Sequence, residues 1–183
     1  MAFIGFEVPA EVGRLLSSIE VEGEREPLDH LHVTMIFLGS KIPVESIMDA
    51  AAVLHDVAEE ADPFTCLIDH TDHFEPGEHS EGKYPIICPI VSPPLHKLRE
   101  ELAKSLGDAK VDFAKNFPDY KPHVTLSYAD EAPKPQKFSP LKWEVYELIL
   151  WGGDSGEDRV TVRVPLRHGH LSLKVAQRFL ARR

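Results

Sequence analysis

The sequence predicts an α+β fold in which helices pack outside β-sheets. Short runs typical of strands are mixed with longer stretches whose apolar residues recur at helical spacing. These elements do not follow a strict strand–helix–strand alternation, which favours the α+β class. The order strand, helix, strand also occurs twice, and the last strand of each set carries the triplet His-Val-Thr. With 183 residues, the chain is long enough for one domain or for two small lobes that share a cleft.

The first half is predicted to contain three strands and two helices. Pro9 suits the first turn of a helix, because a proline there lacks only an N–H that would be unpaired anyway. Residues 21–27 are predicted to form a charged loop, and Gly39 is expected to end the second strand. The predicted elements are a strand at 2–8, a helix after Pro9, a strand at 31–38, a helix at 43–60 and a strand at 64–69. The second helix is predicted to pack through one face, formed by Val44, Ile47, Met48, Ala51 and Leu54.

The second half begins with the same order of strand, helix and strand. Pro85 and Pro89 place its first strand at a sheet edge or in an irregular position. Ser92, followed by two prolines, is typical of a helix start, and Gly107 of a helix end. The predicted elements are a strand at 84–91, a helix from Ser92, a strand at 121–128 and an antiparallel pair at 143–151 and 159–166. The helix is predicted to bury the regularly spaced Leu95, Leu98, Leu102 and Leu106.

The composition excludes several classes of protein. A net charge of −10 argues against a protein that coats long nucleic acid, although it is compatible with a small anionic substrate. No apolar run reaches the roughly 18–20 residues that span a membrane, and no secretory signal is visible. Cys66 and Cys88 lie in apolar runs and are expected to be buried thiols in a reducing compartment. These observations predict a cytoplasmic protein with no membrane partner, and we expect it to be a monomer.

The positive charge is concentrated at the C-terminus. Residues 167–183 carry five basic residues and no acidic one, so the rest of the chain is more acidic than the average suggests. We therefore predict that residues 1–166 form a single domain and that residues 167–183 form a basic tail. This tail is able to form a short amphipathic helix.

The first and third residues of each His-Val-Thr triplet are predicted to share a strand face, because residues i and i+2 of a strand point to the same side. Alternation predicts that His32 and Thr34 project together, and that His123, Thr125 and Ser127 do so in the second copy. The intervening side chains are predicted to face the core; they are Val33, Met35 and Phe37 in the first copy and Val124, Leu126 and Tyr128 in the second. Two such strands side by side would form a cleft with two imidazoles and two hydroxyl donors.

This set of side chains suits phosphodiester hydrolysis. Histidine titrates near pH 6.5, so that one ring can be neutral and accept a proton from water or from a ribose hydroxyl. The other ring, when protonated, can donate to the departing oxygen. The threonine hydroxyls can donate to phosphate oxygens as negative charge accumulates on them. Neither a nucleophilic side chain nor a metal or cofactor is required.

The flanking residues extend this pattern to a known family. The segments HVTMIFLG at 32–39 and PHVTLSY at 122–128 resemble the paired H-x-T motifs of the two-histidine (2H) phosphoesterase superfamily. This superfamily includes the RNA 2′,3′-cyclic phosphodiesterases once called 2′-5′ RNA ligases. FIGFEVP near the N-terminus is similar to the family's first strand and helix start, and VTVRVPL is similar to its closing strand. The resemblance covers about residues 2–166.

The resemblance implies a bilobal, pseudo-symmetric fold in which two antiparallel sheets form a central cleft and helices pack outside. By motif match, His32 and His123 are the acid/base pair, and Thr34 and Thr125 are the phosphate-binding hydroxyls. The sequence does not assign which histidine is the acid and which is the base.

Three further residues are expected to bind substrate beside these four. Many relatives carry a basic residue shortly after the second motif, where this chain has Tyr128. Lys121, two residues before His123, is expected to supply the missing positive charge from the same strand face. Ser127 is expected to join the second histidine and threonine, and Tyr84 to stack on a base at the cleft edge.

The resemblance therefore predicts a metal-independent phosphodiesterase that opens 2′,3′-cyclic phosphates or cleaves 2′-5′ or cyclic oligonucleotide linkages. Its substrate is expected to be a small nucleotide, a cyclic oligonucleotide or an RNA end. One alternative is a non-catalytic module of the same fold that binds nucleotides or RNA ends. Another is a metal-dependent phosphodiesterase that uses the polar stretch 69–82, which contains His70, His73 and His79. We expect this stretch to be a solvated loop.

Overall fold

The structure is a computed structural model that describes residues 1–115, 119–152 and 160–167. These residues form ten strands and three α-helices. The strands are β1 (Ala2–Glu7), β2 (Glu24–Arg25), β3 (His32–Gly39), β4 (Phe64–His70), β5 (Asp72–His73), β6 (Tyr84–Pro89), β7 (His123–Ala129), β8 (Lys137–Val145), β9 (Glu147–Gly152) and β10 (Val160–Pro165). The helices are α1 (Ala10–Ser17), α2 (Val44–Glu60) and α3 (Pro93–Asp108).

Two four-stranded sheets and a two-stranded sheet organise the molecule, and every strand pairing in them is antiparallel. The first sheet has the order β10-β9-β1-β3, and the second has the order β2-β7-β6-β5. The motif strand β3 is thus an edge strand, whereas the motif strand β7 lies between two neighbours. The two motif strands contact each other across the space between the sheets. The predicted α+β class is confirmed, and the structure adds the third sheet, β4-β8.

The helices pack on the sheets through one apolar face each. In α3 this face is the predicted one, with Leu95, Leu98, Leu102 and Leu106 all buried. In α2 the predicted face is partly wrong, because Val44 and Met48 are exposed. The buried face of α2 is rotated and consists of Ile47, Ala50, Leu54 and Ala58. This rotation follows from contact with α3, β9 and β10, which the helical spacing alone does not encode.

The predicted strand at 143–151 is divided between two sheets. Its first part belongs to β8, which pairs with β4, and its second part is β9, which pairs with β1 and β10. Tyr146 lies between them, outside both strands. The predicted pairing of the last two strands is confirmed, with Leu150 opposite Val162. The end of β8 alternates buried and exposed residues, whereas β9 is almost continuously buried.

Two other regions differ from the sequence prediction. The charged loop at 21–27 contains the two-residue strand β2, which pairs with β7. The strand β6 lies inside its sheet, between β7 and β5, although its register is irregular at Ile86 and Ile87. The predicted tail lies outside the described residues except for Arg167, whose guanidinium pairs with Asp62 at 2.8 Å. Among the described residues, no helix is long and apolar enough to cross a membrane.

Candidate active site

A β-bulge in β3 determines which side chains of the first motif share a face. In the pairing with β1, Gly5 lies opposite Thr34 and Ile4 lies opposite Ile36, so that Met35 is an extra residue. A Cβ atom at Gly5 would lie 2.0 Å from the Val33 carbonyl oxygen. The close approach of the two strands beside the bulge therefore requires glycine at this position.

The bulge reverses the alternation after Thr34. Met35 and Ile36 both pack into the main core, and Phe37 turns to the other side. There it packs with Phe3 and Trp151, the two rings that lie 4.9 and 5.9 Å from the His32 imidazole. The prediction that Phe37 faces the core with Val33 is wrong, since it lies on the face of His32 and Thr34. We call this face the first groove face.

A bulge at the same place in the second motif has the same effect on β7. Thr125 lies opposite Ile87 and Ser127 lies opposite Ile86, so that Leu126 is the extra residue. Ser127 is fully buried on the core side, and its hydroxyl donates a hydrogen bond to the carbonyl oxygen of Glu22 at 2.8 Å. The prediction that Ser127 shares a face with His123 and Thr125 is wrong, and its hydroxyl is not directed at the groove.

Tyr128 occupies the groove side of β7, in contrast to the sequence prediction. It follows Ser127 in the alternation that the bulge has reversed, and it corresponds to Phe37 of the first motif. Burial and the nearby carboxylate of Glu26 together raise the pKa of the Tyr128 phenol. The side chain at this position is therefore a neutral hydroxyl. We call the face of His123, Thr125 and Tyr128 the second groove face.

Lys121 and Tyr84 were also expected to bind substrate, but neither lies where it was predicted. β7 begins at His123, so Lys121 precedes the strand; its side chain is exposed and its backbone carbonyl contacts the His123 imidazole. Tyr84 is paired in register with Ala129, and its side chain points away from the groove face. Its ring packs there against His73, with centroids 5.7 Å apart. Tyr84 is three residues away from Ile87, the partner of Thr125, so alternation along β6 directs the two side chains to opposite faces.

The two imidazoles are held in the same way. The Nδ1 atom of His32 lies 2.7 Å from the carbonyl oxygen of His30, and the Nδ1 atom of His123 lies 2.7 Å from the carbonyl oxygen of Lys121. A carbonyl oxygen only accepts hydrogen bonds, so Nδ1 carries a proton in both rings. This leaves Nε2 of each ring as the atom that gains and loses a proton.

The surroundings of His123 favour the neutral form of its imidazole. Burial lowers the pKa of His123, and the positive charge of protonated His32 lowers it further, while the hydrogen bond to Lys121 opposes both effects. The ring of Phe74 packs against His123 at 4.8 Å and nearly perpendicular to it, which contributes to this burial. His123 is therefore predominantly neutral near pH 7.

Charged side chains lie at one end of the first groove face. Glu7 is paired in register with His32, and its carboxylate binds the Arg163 guanidinium at 2.5 Å. Arg163 also binds the carboxylate of Glu147 at 2.7 Å. Two carboxylates thus surround one guanidinium beside His32, so this end of the groove face carries a net negative charge.

The polar stretch 69–82 does not gather its histidines into a metal site in the part of the chain that the structure describes. His70 binds the carboxylate of its neighbour Asp69 at 2.6 Å, and His73 packs against Tyr84. No group of three or more potential ligands forms among the described residues. The stretch is also more ordered than a solvated loop, because it contains β5 and the buried Thr71.

Three features of this site are not predicted by the sequence pattern: the bulges, the groove-facing aromatic residues and the carbonyl partners of the imidazoles. One signal for the first bulge was available, since Met35 and Ile36 are adjacent apolar residues and interrupt the alternation. In the second motif the equivalent pair is Leu126 and Ser127, and the polar serine conceals the interruption.

Comparisons with known proteins identify the family and the fold. Residues 11–157 match the family model of the 2′-5′ RNA ligase superfamily. The solved structure of TT0787 from Thermus thermophilus is 26% identical in sequence and superposes with a TM-score of 0.71. The match covers 91% of this chain and 97% of the TT0787 chain. LigT from E. coli, solved in complex with 3′-AMP, is 20% identical in sequence and has a TM-score of 0.62. The match covers 91% of this chain and 94% of the LigT chain. This second likeness concerns the fold alone.

A phage protein is also similar in sequence. The anti-CBASS protein Acb1 of Vibrio phage KVP40 is 27% identical over 120 residues, which make up 66% of this chain and 64% of the phage protein. The match therefore spans slightly less than two thirds of the length of that relative.

Proposed function

Because the chain belongs to the 2′-5′ RNA ligase superfamily, a group of two-histidine phosphoesterases, we propose that it is a metal-independent phosphodiesterase that uses His32 and His123 as its acid and base. The observation that carries this proposal is the matched pair of imidazoles. Each has its Nδ1 atom bound to a backbone carbonyl at 2.7 Å, and each thus presents Nε2 for proton transfer. Two equivalent rings on facing strands suit a reaction that needs one proton accepted and one donated.

We assign His123 as the general base and His32 as the general acid. The lowered pKa of His123 favours the neutral form, which a base requires. In the hydrolysis of a 2′,3′-cyclic phosphate, Nε2 of His123 takes a proton from water as the water oxygen bonds to phosphorus. The bond from phosphorus to the 2′ or 3′ oxygen then breaks, and Nε2 of His32 donates its proton to that oxygen. Exchange of protons with water restores both rings.

Thr34 and Thr125 are proposed to bind the non-bridging phosphate oxygens. Each lies two residues after its histidine, before the bulge, and therefore shares its groove face. A hydroxyl in that place can donate a hydrogen bond to an oxygen on which negative charge develops in the transition state. With Tyr128 neutral at the position where relatives carry a cation, the chain depends more on these two donors.

The proposed substrate is a small nucleotide, a cyclic oligonucleotide or an RNA end, not long RNA. The net charge of −10 and the carboxylates beside Arg163 disfavour a long phosphate backbone. Phe37 and Phe74 are partly exposed and lie on opposite sides of the groove, where their rings can stack on bases. The complex of LigT with 3′-AMP and the likeness to an anti-CBASS protein support testing both mononucleotides and oligonucleotides.

A chromatographic product assay tests this function. The purified protein is incubated with 2′,3′-cyclic mononucleotides, 2′-5′ oligoadenylate and cyclic oligonucleotides, each with and without EDTA. We expect turnover of at least one class, with the same rate in EDTA. Loss of all activity in EDTA would exclude the metal-independent mechanism. Binding without any product, measured by calorimetry on the same panel, would instead support the non-catalytic alternative.

A further inference from the structure

The bulge in β3 lies at an open sheet edge. β3 pairs only with β1 in the first sheet, so its other side has no neighbouring strand in that sheet. Successive carbonyls of a regular strand point to opposite sides, whereas a bulge disturbs this order. The carbonyls that face away from β1 must therefore find donors elsewhere, because a buried carbonyl without a donor is destabilising.

Hydrogen-bond donors from the second half of the chain bind these carbonyls of β3. The Tyr120 hydroxyl donates a hydrogen bond to the Thr34 carbonyl at 3.1 Å, and the Arg99 Nε donates one to the Met35 carbonyl at 3.2 Å. The backbone N–H of Ala114 donates a third, to the Phe37 carbonyl at 2.8 Å. The consecutive carbonyls of the bulge, those of Thr34 and Met35, are thus both bound by side chains of the second half.

The two side chains form a single packed unit. The Arg99 guanidinium carbon lies 4.5 Å from the centre of the Tyr120 ring, and His96 packs against the ring from α3 at 5.6 Å. Burial raises the pKa of Tyr120 well above its ordinary value. The phenol is therefore always protonated, as a donor to a carbonyl must be.

Tyr120 also lies next to the second motif. The following residue, Lys121, accepts a hydrogen bond from the His123 imidazole through its carbonyl oxygen. The segment 120–123 therefore contacts the first motif at Thr34 and orients the second motif at His123. This short segment therefore links the backbone of Thr34 in one half to the imidazole of His123 in the other.

We infer that Tyr120, supported by Arg99, is a positioning residue that sets the place of the Thr34 hydroxyl relative to His123. This inference rests on the proposed function. Tyr120 does not contact the reacting atoms; it acts through the carbonyl of Thr34. Because the hydroxyl of Thr34 matters most in the transition state, its displacement lowers kcat more than it changes KM.

The kinetic test is a double-mutant cycle between Tyr120→Phe and Thr34→Val, measured on the best substrate of the panel. We expect Tyr120→Phe to lower kcat about tenfold with KM unchanged within about twofold, since small displacements of catalytic groups are costly. In the Thr34→Val background the same change should have almost no further effect. Wild-type kcat in Tyr120→Phe, or an undiminished tenfold loss in the double variant, would overturn the inference.

Tyr146→Phe is the matched control. Tyr146 lies between β8 and β9, outside both motif strands, and its hydroxyl binds the carboxylate of Glu144 at the surface. The control removes the same atom and should keep wild-type kcat. Arg99→Lys keeps the charge but loses the planar Nε donor, so we expect it to lower kcat in the same direction as Tyr120→Phe.

A second readout does not depend on turnover. The side-chain rotamer populations of Thr34, measured by NMR three-bond couplings, should change in Tyr120→Phe and remain as in the wild type in Tyr146→Phe. Unchanged Thr34 populations in Tyr120→Phe would overturn the inference even if activity fell. If the wild-type protein turns over none of the substrates, the proposed function fails, while these couplings still decide whether Tyr120 positions Thr34.

Discussion

The strands β3 and β7 carry the same motif and the same bulge, but they occupy different places in their sheets. β7 lies between β2 and β6, and the carbonyl of its extra residue, Leu126, accepts a hydrogen bond from the backbone N–H of Glu26 at 2.9 Å. β3 lies at an edge, and the carbonyl of its extra residue, Met35, accepts a hydrogen bond from the Arg99 side chain.

This difference shows how one local geometry is stabilised in two ways. Beside β7 the donor is a main-chain group, which almost any residue supplies. Beside β3 the donors to the two bulge carbonyls are the side chains of Arg99 and Tyr120, so the first half of the site depends on the identity of residues in the second half. The two halves also differ in electrostatics, because burial and the charge of His32 lower the pKa of His123. The site is symmetric in its motifs and asymmetric in its surroundings.

Removal of either imidazole is expected to lower kcat more than any other change. His32→Ala and His123→Ala should each lower kcat about 10³-fold, since a positioned acid or base contributes roughly 10²–10⁴-fold. If the two halves have equal weight in the reaction, the two losses will be similar. His55→Ala, which changes an exposed histidine on α2, is the control and should keep full activity. Retention of activity in either motif variant, by the product assay, would refute the paired mechanism.

Removal of a threonine hydroxyl is expected to have the next largest effect. Thr34→Val and Thr125→Val preserve the shape of the side chain and should each lower kcat by roughly 10²-fold, as the loss of one transition-state donor does elsewhere. A much larger loss for one of them would mean that the transferring phosphate lies closer to that half. Steady-state kinetics at saturating substrate decides this.

The asymmetry between the histidines is tested by titration. Protonated His32 lowers the pKa of His123, so His32→Gln should raise the pKa of His123 while burial still keeps it below 6.5. NMR titration of the His123 ring in both proteins measures this shift. In the wild type, kcat/KM should fall on the acidic side with a midpoint below 6.5, because the base must be neutral. An acidic midpoint above 6.5 would contradict the assignment of His123 as base.

The smallest effect distinguishes the two faces of β7. Ser127→Ala removes the buried hydroxyl that donates to the Glu22 carbonyl. We expect it to lower the free energy of unfolding by about 1 kcal/mol while kcat and KM stay within about twofold of the wild-type values. Urea denaturation and the product assay measure the two quantities. A large rise in KM would restore the sequence-based prediction that Ser127 binds substrate.

Much of the fold was predictable because strands and helices follow from local patterns. The leucines of α3 recur at helical spacing, and this spacing identified both the helix and its buried face. The buried face of α2 was predicted less well, since alanines and a methionine give a weaker contrast between its sides. The boundary between β8 and β9 was not predictable, because it depends on the exchange of partners from β4 to β1 at Tyr146.

At the site, the two motifs and the common face of each histidine and its threonine follow from local sequence. The two partners are two positions apart, which is the period of a strand, so a bulge after the threonine does not change their common face. The faces of the residues after Thr34 and Thr125 depend on tertiary contacts. A bulge arises from pairing with a neighbouring strand, so the sequence of β3 or β7 alone does not specify it. The bulges move Phe37 and Tyr128 to the groove and bury Ser127. The same dependence on distant partners brings Tyr120 to the Thr34 carbonyl, a contact between residues that are far apart in the chain.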